Sequence, residues 1–351
     1  MKISRSMKSG CALALAALLA LPCINLMQAR AAGPIIQDQD CTLTVSVPEN
    51  MTDLGSDASA ADFDKMTIPV DLYKVADVDV SGVFTSTETF SDIDYNVVMD
   101  PETNAATWSN LATETGEALK DSDEEPFEHG EIAGGNSAVI DGLKPGMYLV
   151  VPQDTFNADA TVKYVLTPYL TALPSSDYTL GMGSDDTWEY ERTIFLKGEA
   201  EPQFGKLTIQ KTLENYNETL GPMTCVFQID GRKTDDPQGD VVYSNVVSIT
   251  LSGAGTESTT IENIPAGLKV TVTEVYEGAS YEVADGSVRD NITIVSDAGV
   301  EVGQAQASAS FRNQYNGGNR GGYGVTNEFT VLEDGNWGWT DPTSPNTPPA
   351  N

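Results

Sequence analysis

The sequence predicts an all-β protein built as two tandem β-sandwich domains, the first with a short inserted helix. Three observations carry that expectation. Short runs rich in β-branched and aromatic residues recur along the chain, each bounded by Gly, Asp, Asn or Pro. Within the runs apolar and polar residues alternate, the pattern of a strand with one face in a core. One stretch breaks the rule: Trp108, Leu111, Ala112, Thr115, Ala118 and Leu119 follow a helical spacing.

Residues 1–31 read as a secretory signal. Lys2, Arg5 and Lys8 form a basic start, the run from Cys11 to Leu26 is apolar but short for a membrane span, and Ala29-Arg30-Ala31 has the small-x-small form of a cleavage site. Cleavage after Ala31 leaves a secreted chain with no membrane span. The first domain, 32–200, carries strand signals at CTLTVSV from Cys41, TIPVDLYKV from Thr67, MYLVVP from Met147, KYVLTPYL from Lys163 and RTIFLK from Arg192. Glu199–Gln203, short and polar with one Pro, reads as the boundary. The second domain, 201–320, carries them at KLTIQKT from Lys206, CVFQI from Cys225, SNVVSITL from Ser244, STTIENI from Ser258, KVTVTEV from Lys269, NITIV from Asn291 and ASASFRN from Ala307. Residues 321–351 form a Gly- and Pro-rich tail. Trp337 and Trp339 precede its end, an aromatic pair suited to gripping a ligand or neighbouring subunit, or to packing back on the second domain.

Composition narrows the function. The chain has 19 basic and 52 acidic residues, a net charge of −33, and loss of residues 1–31 takes it to −37. Such a field repels nucleic acid and anionic membranes and suits the solubility of an exported protein. Only Cys41 and Cys225 remain after the signal, one in each domain, so the chain is no disulfide scaffold; sequence does not decide whether they pair. His129, the single histidine, lies in an acidic, Gly-flanked stretch and reads as an exposed loop residue. No zinc spacing or nucleophile elbow is present, and neither a metal nor a cofactor is expected. Asp77, Asp79, Ser81, Gly82 and Glu88 match a calcium-loop pattern, but the preceding TIPVDLYKV alternates and contains Pro69, which makes the segment strand–turn–strand. Carboxylate pairs of glycosidase type arise by chance among so many acids. An enzyme is not the expectation.

The chemistry lies in three polar residues that stand where alternation calls for apolar ones. Lys211 shares a strand face with Leu207 and Ile209, Glu274 with Val270 and Val272, and Asn313 with Ala307, Ala309 and Phe311. An amine, a carboxyl and a carboxamide thus point into one core. Those are the components of a Lys–Asn isopeptide crosslink. A desolvated neutral amine attacks the amide carbon, a carboxyl polarises the carbonyl and passes a proton to the leaving ammonia, and the fold supplies the effective concentration. The other reading is a buried Lys211–Glu274 ion pair hydrogen-bonded to Asn313. Apolar replacement of such a pair is often neutral or stabilising.

GKLTIQKT, PAGLKVTVTEV and SFRNQY, in that order within about one domain length, resemble the collagen-adhesin B-type (Cna B-type, Ig-like) domains of Gram-positive surface proteins and pilins, from Phe204 to Tyr315. The resemblance implies a bond from Lys211 to Asn313 catalysed by Glu274. Cys41–Lys197 resembles the N-terminal domain of Gram-positive backbone pilins through PVDLYKVADVD, WSNLATETGEAL, GLKPGMYLVVP, YVLTPYLTALP and TIFLKGEAEP. That family carries a Tyr-Pro-Lys-Asn motif whose Lys a sortase joins to the next subunit. Phe195-Leu196-Lys197-Gly198 stands there, which leaves Lys197 either an inter-subunit lysine or an ordinary surface lysine. Lys74 shares parity with Ile68 and Leu72, but Pro152 occupies the place of a catalytic Glu, and a solvated Lys74 is expected. Taken together, the resemblances imply a pilin subunit or adhesin stalk in the cell wall or pilus, with other pilin subunits and a sortase as partners. The alternative is a secreted glycan- or host-matrix-binding module without a crosslink. Surface-anchored relatives end in Leu-Pro-x-Thr-Gly, an apolar span and a basic tail. The residues up to Asn351 carry no such signal and leave the mode of anchoring open.

Overall fold

The computed structural model describes residues 33–100, 102–176, 187–301, 303–318, 329–331 and 337–339. The signal assigned to 1–31 and most of the tail assigned to 321–351 lie outside the described residues; within that tail Phe329–Val331 pairs antiparallel with Trp337–Trp339. The chain divides into two units between Gln203 and Phe204. Both are built from strands. No helix among the described residues is long and apolar enough to cross a membrane.

In the first unit the long strand Thr67–Val78 centres the largest sheet. It pairs with Gly146–Pro152, Phe84–Ser86 and Glu128–Ala133, and Tyr169–Leu173 lies beyond Gly146–Pro152. Cys41–Ser46 lies between Ala138–Leu143 and Glu191–Phe195, parallel to the latter. The inserted helix runs Ala105–Lys120. The side chain of Asn104 accepts from the Ala106 amide at 2.9 Å, capping the first turn, and the helix buries Leu111, Ala112 and Thr115. Among its described residues the unit has two apolar clusters. Leu43, Ile68, Val70, Leu72 and Tyr148 belong to one, and Val75, Phe90, Tyr95, Leu111 and Leu149 to the other, on the helix side.

Two local readings change here. KYVLTPYL breaks at Thr167-Pro168 into Val162–Leu166 and Tyr169–Leu173, which join different sheets; proline cannot donate to a ladder. Glu199–Gln203, read as a boundary segment, belongs largely to the strand Gly198–Pro202, paired with Val162–Leu166. Gly198 permits that pairing, because a Cβ there would run into the Val165 carbonyl.

The second unit is a sandwich of two four-stranded sheets. One has the order Gly255–Pro265, Phe204–Leu213, Ala307–Tyr315, Tyr281–Val283. The other has Tyr243–Leu251, Met223–Arg232, Lys269–Tyr276, Val288–Thr293. The first and last long strands are parallel neighbours, Leu207 level with Ala307 through Leu213 level with Asn313. Alternate residues of each inner face build one core, centred on Leu207, Ile209, Phe227, Ile229, Val270, Val272 and Phe311. Outer faces carry threonine pairs such as Thr208–Thr260 at 3.1 Å and Thr212–Thr256 at 2.8 Å.

Candidate functional site

Three strands converge on one polar cluster inside the second unit. The strand Phe204–Leu213 turns Leu207, Ile209 and Lys211 inward, and Ala307–Tyr315 turns Ala309, Phe311 and Asn313 inward. These two strands are neighbours. Lys211 is level with Phe311 and Asn313 with Leu213, so amine and carboxamide leave adjacent strands one inward step apart. Glu274 comes from the opposite sheet, on Lys269–Tyr276, level with Phe227. Lys211 and Asn313 are 0 % exposed, and so is the Glu274 side chain.

The Glu274 carboxyl spans both nitrogens. Its two oxygens each lie 2.7 Å from Lys211 Nζ, and Asn313 Nδ2 donates to Oε1 at 2.8 Å. The Phe227 and Phe311 rings, 5.0 Å apart, wall the amine, with each centroid 5.9 Å from Nζ. Asn313 Nδ2 also donates to the Glu277 carbonyl at 3.2 Å and approaches Cys225 Sγ at 3.8 Å. Asn313 Oδ1 is buried without a hydrogen-bond partner, a cost of about 1–3 kcal/mol for a group of this kind; Glu274 meets the amide nitrogen and not the oxygen, so the expected polarisation of the carbonyl by the carboxyl is not what this geometry holds. The acceptor-only Glu277 carbonyl fixes this orientation, because the amide nitrogen must face it. Burial pushes the Cys225 thiol up to about 12, with Lys211 opposing, so Cys225 stays protonated and is no competing nucleophile.

Sequence reading found Lys211, Glu274 and Asn313 through strand parity. It missed Cys225 and Glu277. Cys225 sits on an inward position like any apolar residue, and Glu277 contributes a backbone carbonyl that no side-chain pattern reveals.

Other singled-out residues lie elsewhere. Lys197 is exposed between the strands Glu191–Phe195 and Gly198–Pro202. Lys74 is half-buried beside Gly146 and pairs with Asp77 at 2.5 Å rather than standing free in solvent. A register shift between Lys74 and Ala76 ends the inward alternation there. Cys41 and Cys225 are free thiols, each buried in its own unit. His129 is not in a loop: it lies on the strand Glu128–Ala133, with Nδ1 2.7 Å from Asp71 Oδ1. Gly130 allows that strand to approach closely, since a Cβ there would crowd Ala138 and Ile140 at 3.1 Å. The Asp77–Glu88 segment is strand–turn–strand. Asp79 accepts from the Ser81 amide at 2.8 Å, the Ser81 hydroxyl at 2.6 Å and the Val83 amide at 2.9 Å. Among the described residues no group of three metal-ligating side chains is assembled.

Fold and cluster together define the class: an all-β chain of two sandwich units, the second holding a dry Lys–Glu–Asn constellation between its sheets. A family profile described as a domain of unknown function, DUF5979, matches residues 207–316. No protein of curated function matches the chain. Solved structures similar to it include GBS52, the minor pilin of Streptococcus agalactiae, at 12 % identity, covering 78 % of this chain and 96 % of that one with a TM-score of 0.24. The full-length major pilin SpaD of Corynebacterium diphtheriae is similar at 12 % identity, covering 70 % of this chain and 62 % of that one, TM-score 0.27. The shaft pilin SpaA of Lactobacillus rhamnosus GG is similar at 11 % identity, covering 80 % and 98 %, TM-score 0.23.

Proposed function

We propose that the second unit ties itself with a Lys211–Asn313 isopeptide bond, Glu274 acting as proton relay. The chain then serves as a structural subunit of the cell surface, a pilin or adhesin stalk, and not as an enzyme acting on a substrate. One observation carries the reading: a single buried carboxyl touches both the nitrogen that must lose a proton and the nitrogen that must gain one. An ion pair alone gives no reason for the carboxamide to complete the set.

The reaction runs within the cluster. Proton transfer from Lys211 Nζ to Glu274 gives a neutral amine and a carboxylic acid. Nζ attacks Asn313 Cγ, a C–N bond forms, and the carbonyl electron pair moves onto Oδ1. Glu274 delivers its proton to Nδ2 and takes the second proton of Nζ. The Cγ–Nδ2 bond breaks as the carbonyl reforms, and ammonia leaves. The Glu277 carbonyl keeps Nδ2 on the Glu274 side throughout. The packed aromatic walls exclude water, so aminolysis has no hydrolytic competitor. Holding the reactants on neighbouring strands replaces an external catalyst.

The product closes a loop of about 100 residues. By the reckoning used for disulfides such a tie removes about 4–5 kcal/mol of unfolded-state entropy. Because it joins neighbouring parallel strands, tension between them passes through the bond instead of the hydrogen-bond ladder.

Intact mass tests the reading. The mature chain is expected to lack the mass of one ammonia, and Lys211→Ala and Asn313→Ala are each expected to retain it. A wild-type chain at full unreacted mass leaves only the buried ion pair.

A further inference from the structure

The last long strand has an incomplete neighbour on its outer edge. Tyr281–Val283 pairs with it only from Asn313 to Tyr315. Below Asn313 a short crossover takes over. The Ala284 amide donates to the Arg312 carbonyl at 2.8 Å, and the Arg312 amide donates to Asp285 Oδ1 at 3.2 Å. Arg289 Nε donates to the Ser310 carbonyl at 2.8 Å. The same crossover reaches the other sheet, where the Glu274 amide donates to the Ser287 carbonyl at 2.7 Å and Arg289 is level with Val272.

Arg289 is the member that spans the gap. It belongs to the sheet that carries Glu274, holds a carbonyl of the strand that carries Asn313, and pairs with Asp285 at 2.9 Å. Its guanidinium lies 4.7 Å over Phe311, the ring that walls the Lys211 amine. A planar fork with several donors, stacked on a ring, is a rigid spacer in a way a lysine is not.

We infer that Arg289, braced by Asp285, is a positioning residue for the crosslink: it sets the separation of the two sheets at the site and thereby the reach of Glu274 to Asn313. It touches neither reactant. This inference rests on the isopeptide reading and adds the device that tunes its rate. A displacement of about 1 Å at a reacting centre costs on the order of 100-fold in rate.

The test follows ammonia loss by intact mass in full-length protein sampled through cell-free synthesis. Arg289→Ala is expected to slow it by about 10- to 100-fold. Arg289→Lys, which keeps the charge for Asp285 but not the fork, is expected to fall between Arg289→Ala and wild type. A Lys211→Met/Glu274→Gln background abolishes the reaction and leaves no unpaired buried charge. There Arg289→Ala is expected to keep the far-UV circular dichroism of the parent and a Tm within a few degrees of it, about the shift for a surface change in a domain of this size. Crosslinking of Arg289→Ala at the wild-type rate overturns the inference. So does unfolding in the inert background, which makes the slow rate a folding defect, and so does equal slowing in Arg289→Lys and Arg289→Ala. A wild-type chain that never loses ammonia overturns the isopeptide reading itself, and this inference with it.

Discussion

Glu274 shows what a single side chain does in this core. Its oxygens contact Lys211 at 2.7 Å and Asn313 at 2.8 Å, and its removal strands an amine in an apolar interior. Glu274→Ala is therefore expected to block ammonia loss and to destabilise the second unit by about 3–5 kcal/mol relative to an unreacted parent such as Asn313→Ala, read from urea unfolding. The two thiols give a pH prediction. Burial is the main cause pushing Cys41 from 9.0 to about 11 and Cys225 from 9.0 to about 12. A raised acid pKa means that the folded chain keeps a proton the unfolded chain has released. Stability from these groups is complete below about pH 9 and drains as pH rises toward the folded values. Native Cys41 and Cys225 are expected to ignore a thiol reagent at pH 8 and to react in denaturant, with urea midpoints falling between pH 9 and 11. At this scale the buried polar trio of Lys211, Glu274 and Asn313 was legible because strand alternation makes a buried polar residue stand out. Cys225, Glu277 and Arg289 were not, because their roles come from a packing position, a backbone carbonyl and a contact between sheets.

Elements were easier to read than their neighbours. Every strand predicted in the second unit exists, since each carries its own alternation and turn residues. Short strands such as Tyr281–Val283 and Gly198–Pro202 were not foreseen. They are too brief for a period and are held by backbone pairing that their side chains do not announce. The parity rule also stops at the register shift beside Lys74, which no residue type signals. Two substitutions test element construction. Gly205 lies where Phe204–Leu213 bridges to Ser296, and a Cβ there would collide with the Val295 carbonyl. Gly205→Ala is expected to cost about 1–3 kcal/mol, read as a lower urea midpoint at unchanged m-value. Asn104→Ala removes the helix cap of the first unit, with an expected loss of about 1 kcal/mol.

At the scale of the whole molecule, the proposed function is mechanical. Held between Phe204 and Tyr315 in a force experiment, the second unit is expected to resist extension, while Asn313→Ala extends fully. Exposed Lys197 belongs to a separate question. If it accepts another subunit through a sortase, co-expression yields a ladder of covalent oligomers that Lys197→Ala abolishes; an unchanged ladder assigns the joint to another amine. The first unit shares one feature with the second, a first strand running parallel to a late one. Cys41–Ser46 and Glu191–Phe195 are parallel partners near its two ends, yet only hydrogen bonds join them. Pulled from those ends they are expected to slide in shear, with all rungs strained together and yielding in one abrupt event. With the proposed crosslink in place, the chain would pair a segment that yields under load with a segment that does not lengthen, as a shock absorber pairs a damper with a rod. A single sawtooth peak per molecule is its expected trace.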